Sequence, residues 1–453
     1  MDSCSLDGAL GAAEALSSGS VAIYLQSASA TNSYNGESNS FYSFNDPGLD
    51  VTIEPDPSLG AGAVSVFDAR YLPGSSILTL SGSGSLTLND VQMQNATSTT
   101  SGGALHITSS LSVTCNSCVF TNNQTVANSN GGAIGVDNVV AGDLTVNDST
   151  FSDNWAFGVG GAIGEYASNG TMTITNSTFT GNQGYYGGAI GEGANGGGTL
   201  NVSGSTFTNN SANIGGGIDN ADIGGSSSAV VQYSTFVDNT AEATGGAIAS
   251  NLNFGGGNLV VLRSTIDDGA GTTPAVAAGG GTTVFAGSLI AGSQSSLCAG
   301  TISDAGYNVE SDASASCGFT QSSDAVAGSD PGLAKLADNG GATLTEQVSA
   351  ASSAANSIPS TPSTLVIINA TPYTLCANPD VDQTGVAQAT AGGCSRGALD
   401  ATHLATSSVP SVTAPLTSSS ATQSFSLAAW EDRARAVTSS RRRARVARSC
   451  RRH

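Results

Sequence analysis

Through the middle of the chain, apolar residues recur at every second position in short runs: Leu144 with Val146, Met172 with Ile174, Leu200 with Val202 and Leu259 with Val261. A period of two is the signature of a strand with one face buried. Two motifs alternate with these runs. Phe-x-x-Asn occurs at Phe120 to Asn123, Phe151 to Asn154, Phe179 to Asn182, Phe207 to Asn210 and Phe236 to Asn239, at spacings of 31, 28, 28 and 29. Gly-Gly-Ala-(Ile/Leu) begins at Gly102, Gly131, Gly160, Gly187 and Gly245, with Gly215-Gly216-Gly217-Ile218 as a variant. Each repeat therefore holds two or three short strands and no helix.

A unit of this size cannot close a core alone, but stacked units bury their apolar faces in continuous columns. With coils about 4.8 Å apart, each interior Phe lies on the next Phe. Each motif Asn lies on the next Asn, where the amides can hydrogen-bond as a ladder. The Gly pair suits a turn that needs positive φ or close backbone approach. The predicted fold is all-β, a single-stranded parallel β-helix of about 28 residues per coil. Weaker coils flank it, with Met93 at a Phe position upstream and Ile266 followed by Gly279 to Gly281 downstream. Irregular ends are expected of a solenoid that must cap its strand edges. The organisation predicted is a cap with irregular coils over residues 1–90, regular coils over 91–290, C-terminal coils over 291–400 and a disordered tail over 401–453.

Composition agrees with this reading. The 453 residues include 59 Gly and only 10% charged residues, so the exposed faces must be Ser, Thr, Asn and Gly. The scarcity of Lys, Glu, Leu and Met argues against helices. Nine of the 13 basic residues lie between Arg433 and Arg452, leaving residues 1–428 with four basic against 32 acidic groups, a formal −28. Such a body repels nucleic acid and anionic lipid and attracts divalent cations. The Ser/Thr/Pro-rich stretch from about Ser407 and the Arg-rich run after it break too abruptly from the body to be one folded unit with it. No apolar run is long enough for a transmembrane helix, and no signal peptide is visible, so an export signal is expected upstream of Met1.

Among eight cysteines, Cys298 with Cys317 and Cys376 with Cys394 fall as local pairs outside the repeats, which suits loop-closing disulfides. Cys115 and Cys118 form an isolated CxxC with no further ligands at zinc spacing and read as structural.

The alternation of Gly-Gly-Ala-Ile with Phe-x-x-Asn resembles the repeats of polymorphic outer-membrane proteins and related right-handed β-helix surface proteins. The ends carry further likenesses. Cys4-Ser5-Leu6-Asp7-Gly8-Ala9-Leu10 is similar to the CSLREA domain that opens many such proteins, with Asp7-Gly8 replacing Arg-Glu. Gly306-Tyr307-Asn308-Val309, Asp330-Pro331-Gly332-Leu333 and Leu336 to Thr345 resemble the terminal segment called choice-of-anchor Q. Asp382-Gln383-Thr384-Gly385 and Cys394-Ser395-Arg396-Gly397-Ala398 resemble that segment's DQRG and CDIGA elements, with Thr384 and Ser395 as departures. The resemblance implies a right-handed β-helix and an extracellular or cell-surface location, but no catalytic residues.

Parallel β-helices share their fold with pectin lyases and other polysaccharide-cleaving enzymes, so acidic rows are weighed as chemistry. Glu165 and Glu192 hold identical places in successive Gly-Gly-Ala-Ile motifs, with Asp137 and Asp219 offset by one residue. One coil apart, about 5 Å, is a separation used by retaining glycosidases. Clustered carboxylates also suit calcium. Against both stands a solvated acidic row generated by the repeat itself, with no nearby Lys, Arg or His as partner. A second candidate is the turn carrying Trp155, Phe157, Tyr185 and Tyr186 in consecutive coils, which either stacks on sugar or protein or fills the turn with its own rings. His106 is isolated in sequence, as is His403, so no Ser/His/Asp arrangement suggests itself. These observations lean toward a non-enzymatic, adhesive or structural surface protein with glycan or protein partners and no cofactor except calcium. The rivals are a polysaccharide lyase or glycoside hydrolase using the acidic row, and a passive envelope component.

Overall fold

The computed structural model describes residues 6–25, 40–69, 73–126, 129–137, 142–166, 169–194, 198–222, 227–250, 257–268, 271–361, 363–377, 379–385, 387–388, 393–401 and 434–438. Arg70, His403 and all of the Arg-rich tail except the short stretch 434–438 lie outside them. Most of the segment expected to be disordered therefore lies outside as well. The stretch Ala434–Thr438 is a strand antiparallel to Ser20–Leu25 at the edge of the first coil.

The chain is a parallel β-solenoid with about 28 residues per coil. Among the described residues, three long sheets of twelve, ten and ten strands run the length of the stack. Their pairings are parallel apart from that of Ala434–Thr438, as stacked coils demand. In one coil the chain passes from Ser112–Asn116 in the first sheet to Val119–Thr121 in the second, the Phe-bearing sheet, and then to Ile134–Asp137 in the third. Short strands such as Gln124–Thr125 mark the corner before the Gly pair and add a four-stranded ribbon.

The motif positions follow from the corners. Phe-x-x-Asn places its third residue in the left-handed region, with φ of 54° at Asn122 and Asp153 and 52° at Asp238. Asn and Asp tolerate that region better than other side chains. The corner aims the fourth residue, Asn, along the stack. Asn123, Asn154, Asn182 and Asn210 each donate through Nδ2 to Oδ1 of the Asn in the next coil at 2.9–3.1 Å, and all are completely buried. The same Oδ1 atoms accept the backbone N–H of the preceding rung, at 3.0 Å from Asn123 and Asn154. Inside, Phe120, Phe151, Phe179, Phe207 and Phe236 stack with ring centroids 4.6–4.8 Å apart and planes within 13°. The first Gly of each pair is required twice over. Gly160 has φ of 68°, and a Cβ there would lie 1.8 Å from the Ile163 carbonyl oxygen.

A serine ladder runs beside the first corner. The backbone N–H groups of Ser149, Ser177, Ser205 and Ser234 donate to the hydroxyl of the next serine at 3.1–3.3 Å. Cys118 heads this ladder, its N–H donating to Ser149 Oγ at 3.0 Å. Cys115 stands in register with Leu88 and Val146 in the apolar core. Both thiols are buried and unlinked. A hydrogen bond with Cys118, then burial, pushes the Cys115 thiol well above its usual range.

At the N-terminus, ahead of the first strand, Leu6–Glu14 is an α-helix. Its buried Leu6, Ala9, Leu10 and Ala13 recur at helical spacing and form one apolar stripe. Glu14 Oε1 accepts the N–H of Asn45 at 2.7 Å, which ties the helix to the first strands. A solenoid end exposes both an apolar interior and unpaired edges, and this helix covers the former. No helix among the described residues is long and apolar enough to cross a membrane.

Candidate functional site

The third sheet sets the geometry of the acidic row. Strand alternation from the completely buried Ile163 and Ile190 turns Gly164 and Gly191 outward and Glu165 and Glu192 inward. The register is continuous: Ile107 pairs with Val136, Val136 with Glu165, Glu165 with Glu192, Glu192 with Asn220 and Asn220 with Ser250. Ile107 and Val136 belong to the apolar core, so the two glutamates lie in an interior column. They are 4% and 2% exposed. The solvated row expected for them is thus corrected, because one residue of alternation puts them on the core side.

The other two acids lie elsewhere. Asp137 pairs in register with Tyr166, on the outward side, and its Oδ2 is 3.1 Å from His106 Nε2 in a half-buried pair. His106, isolated in sequence, finds this partner one coil away. Their separation of 31 residues matches one Phe-motif interval, a signal available only once the register is known. Asp219 pairs with Gly191 and faces outward beneath the turn that carries Tyr186. Burial raises its carboxyl well above the usual range. The Tyr186 phenol is raised as well, by burial first and then by Tyr185 and Asp219.

The aromatic residues form the outer surface of the second corner. Trp155 lies edge-on to Phe157 at 6.3 Å, and Tyr185 lies edge-on to Tyr186 at 4.8 Å. The backbone joins the two coils, with Tyr185 N–H donating to the Gly158 carbonyl at 3.0 Å. Phe157 and Tyr185 remain 52% and 48% exposed, while Trp155 and Tyr186 are half-buried beside them. The rings support one another in pairs and still leave two open faces on successive coils.

Sequence reasoning missed a buried polar cluster that joins the C-terminal segment to the solenoid. Arg263 is completely buried at the first corner, with φ of 43°. It donates to Asp380 Oδ2 at 2.7 Å, Asp400 Oδ1 at 3.1 Å and the Leu375 carbonyl at 2.7 Å, and lies 5.4 Å from the Tyr233 ring. Gln383 bridges the same two parts, accepting from Thr235 Oγ1 at 2.6 Å and donating to Thr206 Oγ1 at 3.0 Å and Thr343 Oγ1 at 2.9 Å. Gly397 N–H donates to the Gly287 carbonyl at 2.9 Å, and Ala398 N–H to Thr265 Oγ1 at 3.0 Å. The stretches resembling DQRG and CDIGA are therefore the docking edge of this segment. Disulfides join Cys298 to Cys317 and Cys376 to Cys394. Asp380, Cys394 and Asp400 bring ligand atoms within 4.8 Å of one another, but the disulfide takes the thiol and Arg263 takes both acids.

Fold and surface together define a parallel β-solenoid with repeats of the surface-protein kind. Residues 117–137 match the Chlamydia polymorphic membrane protein (Chlamydia_PMP) repeat. The match runs from the left-handed corner at Ser117 through Phe120, Asn123 and the Gly-Gly-Ala-Ile strand, and so spans one coil's worth of motifs. No curated protein and no solved structure matches the chain. The repeat and the solenoid fit a surface protein.

Proposed function

We propose that the protein is a non-enzymatic surface rod that binds a glycan or protein partner through the aromatic corner of Phe157 and Tyr185. The observation that carries the reading is the half-exposure of these two rings on successive coils. Large apolar rings in water are held there at a cost and mark contact surfaces. Edge-on packing against Trp155 and Tyr186 restricts their rotamers, which lowers the entropy lost on binding. Glu165 and Glu192 speak for binding over cleavage, because a polysaccharide in solvent cannot reach carboxyls inside the solenoid.

Retention of the full chain on a panel of glycans and matrix proteins tests this. F157A/Y185A is expected to bind at least about tenfold more weakly at an unchanged melting temperature. Equal retention of both proteins would remove the corner from the function.

A further inference from the structure

Thr364–Ile368 is a strand whose core, Leu365-Val366-Ile367-Ile368, is apolar on both faces. A tight turn with positive φ at Asn369 and Ala370, 50° and 64°, folds it onto Thr371–Cys376 as an antiparallel hairpin. One face of the hairpin lies on the solenoid. Val366 and Ile368 are buried with Val260, Leu262 and Val284, which point outward from the first sheet while their neighbours Val261 and Phe285 fill the interior. The other face presents Leu365 and Ile367, 60% and 75% exposed, with Thr374 and Pro372 exposed opposite them. A continuous apolar run is the mark of a strand covered on both sides. Here one side stands in water.

Charge decides what can cover it. Residues 1–428 carry four basic against 32 acidic groups, so the surface at large repels a second copy of the chain. No charged residue occurs between Glu346 and Asp380, and the hairpin lies within that stretch. Two hairpins can therefore meet without setting acid against acid. The other occupants fit less well. A basic segment gains nothing from an uncharged face, and an anionic membrane is repelled by the body that carries it. We propose that the protein pairs with a second copy of itself through this hairpin, Leu365 and Ile367 of each copy packing face to face about a two-fold axis. Strands of five and six residues offer less than the about 800 Å² per partner of a standard interface. The dimer is therefore of the transient kind and dissociates on dilution. The pairing is separate from the binding reading above, since the hairpin shares no residue with the aromatic corner.

Sedimentation equilibrium of the full chain, over a concentration series at low and high salt, tests this. Expected is a reversible dimer that tightens as salt screens the repulsion between the acidic bodies. Ile367→Asp places like charges across the two-fold axis and should weaken the dimer at least about tenfold, at an unchanged melting temperature because the position is exposed. L365T/I367T keeps the strand uncharged while removing apolar surface, and should also weaken it, which decides the matter if Ile367→Asp does not fold. F157A/Y185A should dimerise as the wild type does. A chain that stays monomeric throughout overturns the proposal. So does a dimer that loosens with salt, which would assign the association to the basic tail on an acidic body, and so does a dimer of full strength in both hairpin variants.

Discussion

Loss of Arg263 should be strongly destabilising. Replacing it with Met keeps the volume but leaves Asp380 and Asp400 buried without their shared cation. Breaking such a pair from one side costs about 3–5 kcal/mol, read as a lower denaturation midpoint in urea. Nothing near Arg263 in sequence announces this, because its carboxylate partners lie 117 and 137 residues further along. Glu165 was legible in part. Ile163-Gly164-Glu165 puts the acid on the isoleucine's side by alternation, but the ordinary preference of Glu for water suggested the opposite. The ladder Asn182 stands between these cases, since recurrence alone predicted its partners. Asn182→Ala removes the acceptor used by both N–H and Nδ2 of Asn154. The expected cost is about 1–3 kcal/mol for each buried donor left unpaired, again seen in the denaturation midpoint.

At the scale of elements, the strands and corners of the central coils follow from the two motifs, because each motif marks one corner and one buried column. Phe179→Ala should cost about 3–5 kcal/mol, since Phe151 and Phe207 hold the rungs on either side and the gap cannot close. The N-terminal helix was less legible. Its stripe consists of small alanines between two leucines, and a nine-residue helix has little periodicity to read. The C-terminal segment lacks a repeat altogether, so its docking edge shows only in three dimensions. The Cys376–Cys394 disulfide closes a separation of 18 residues beside the Arg263 cluster. Removing it with C376A/C394A should cost about 3 kcal/mol. The check is a lower melting temperature in the variant that reductant does not change further at this bond.

For the whole molecule, the acidic surplus becomes a dependence on pH. Burial, followed by neighbouring acids, raises Glu346 from 4.5 to about 8 and Asp268 from 3.8 to about 7. Burial likewise raises Glu310 to about 7 and Asp324 to about 6. Such groups hold their protons longer in the folded chain than in the unfolded one. Their stabilising effect is therefore complete below the unfolded values and is lost as pH rises to the folded ones. Asp304 and Asp312 act in the opposite sense. Burial raises both, but hydrogen bonds from Thr320, and from Ser314 and Ser316 respectively, outweigh it and leave them below 3.8. Their contribution is lost as pH falls through those lowered values. Stability should peak near pH 4–5 and decline steadily to about pH 8. Melting curves across that range check the sign.

On the proposed reading, a stacked rod of short coils with two open aromatic faces at one corner binds its partner there without cleaving it. The most direct measurement offers the full chain a broad set of polysaccharides and reads retention and newly formed reducing or unsaturated ends together. Retention without new ends, weakened in F157A/Y185A, is the predicted result. New ends that disappear in Glu165→Gln or Glu192→Gln would contradict it and make the interior carboxyls an active site.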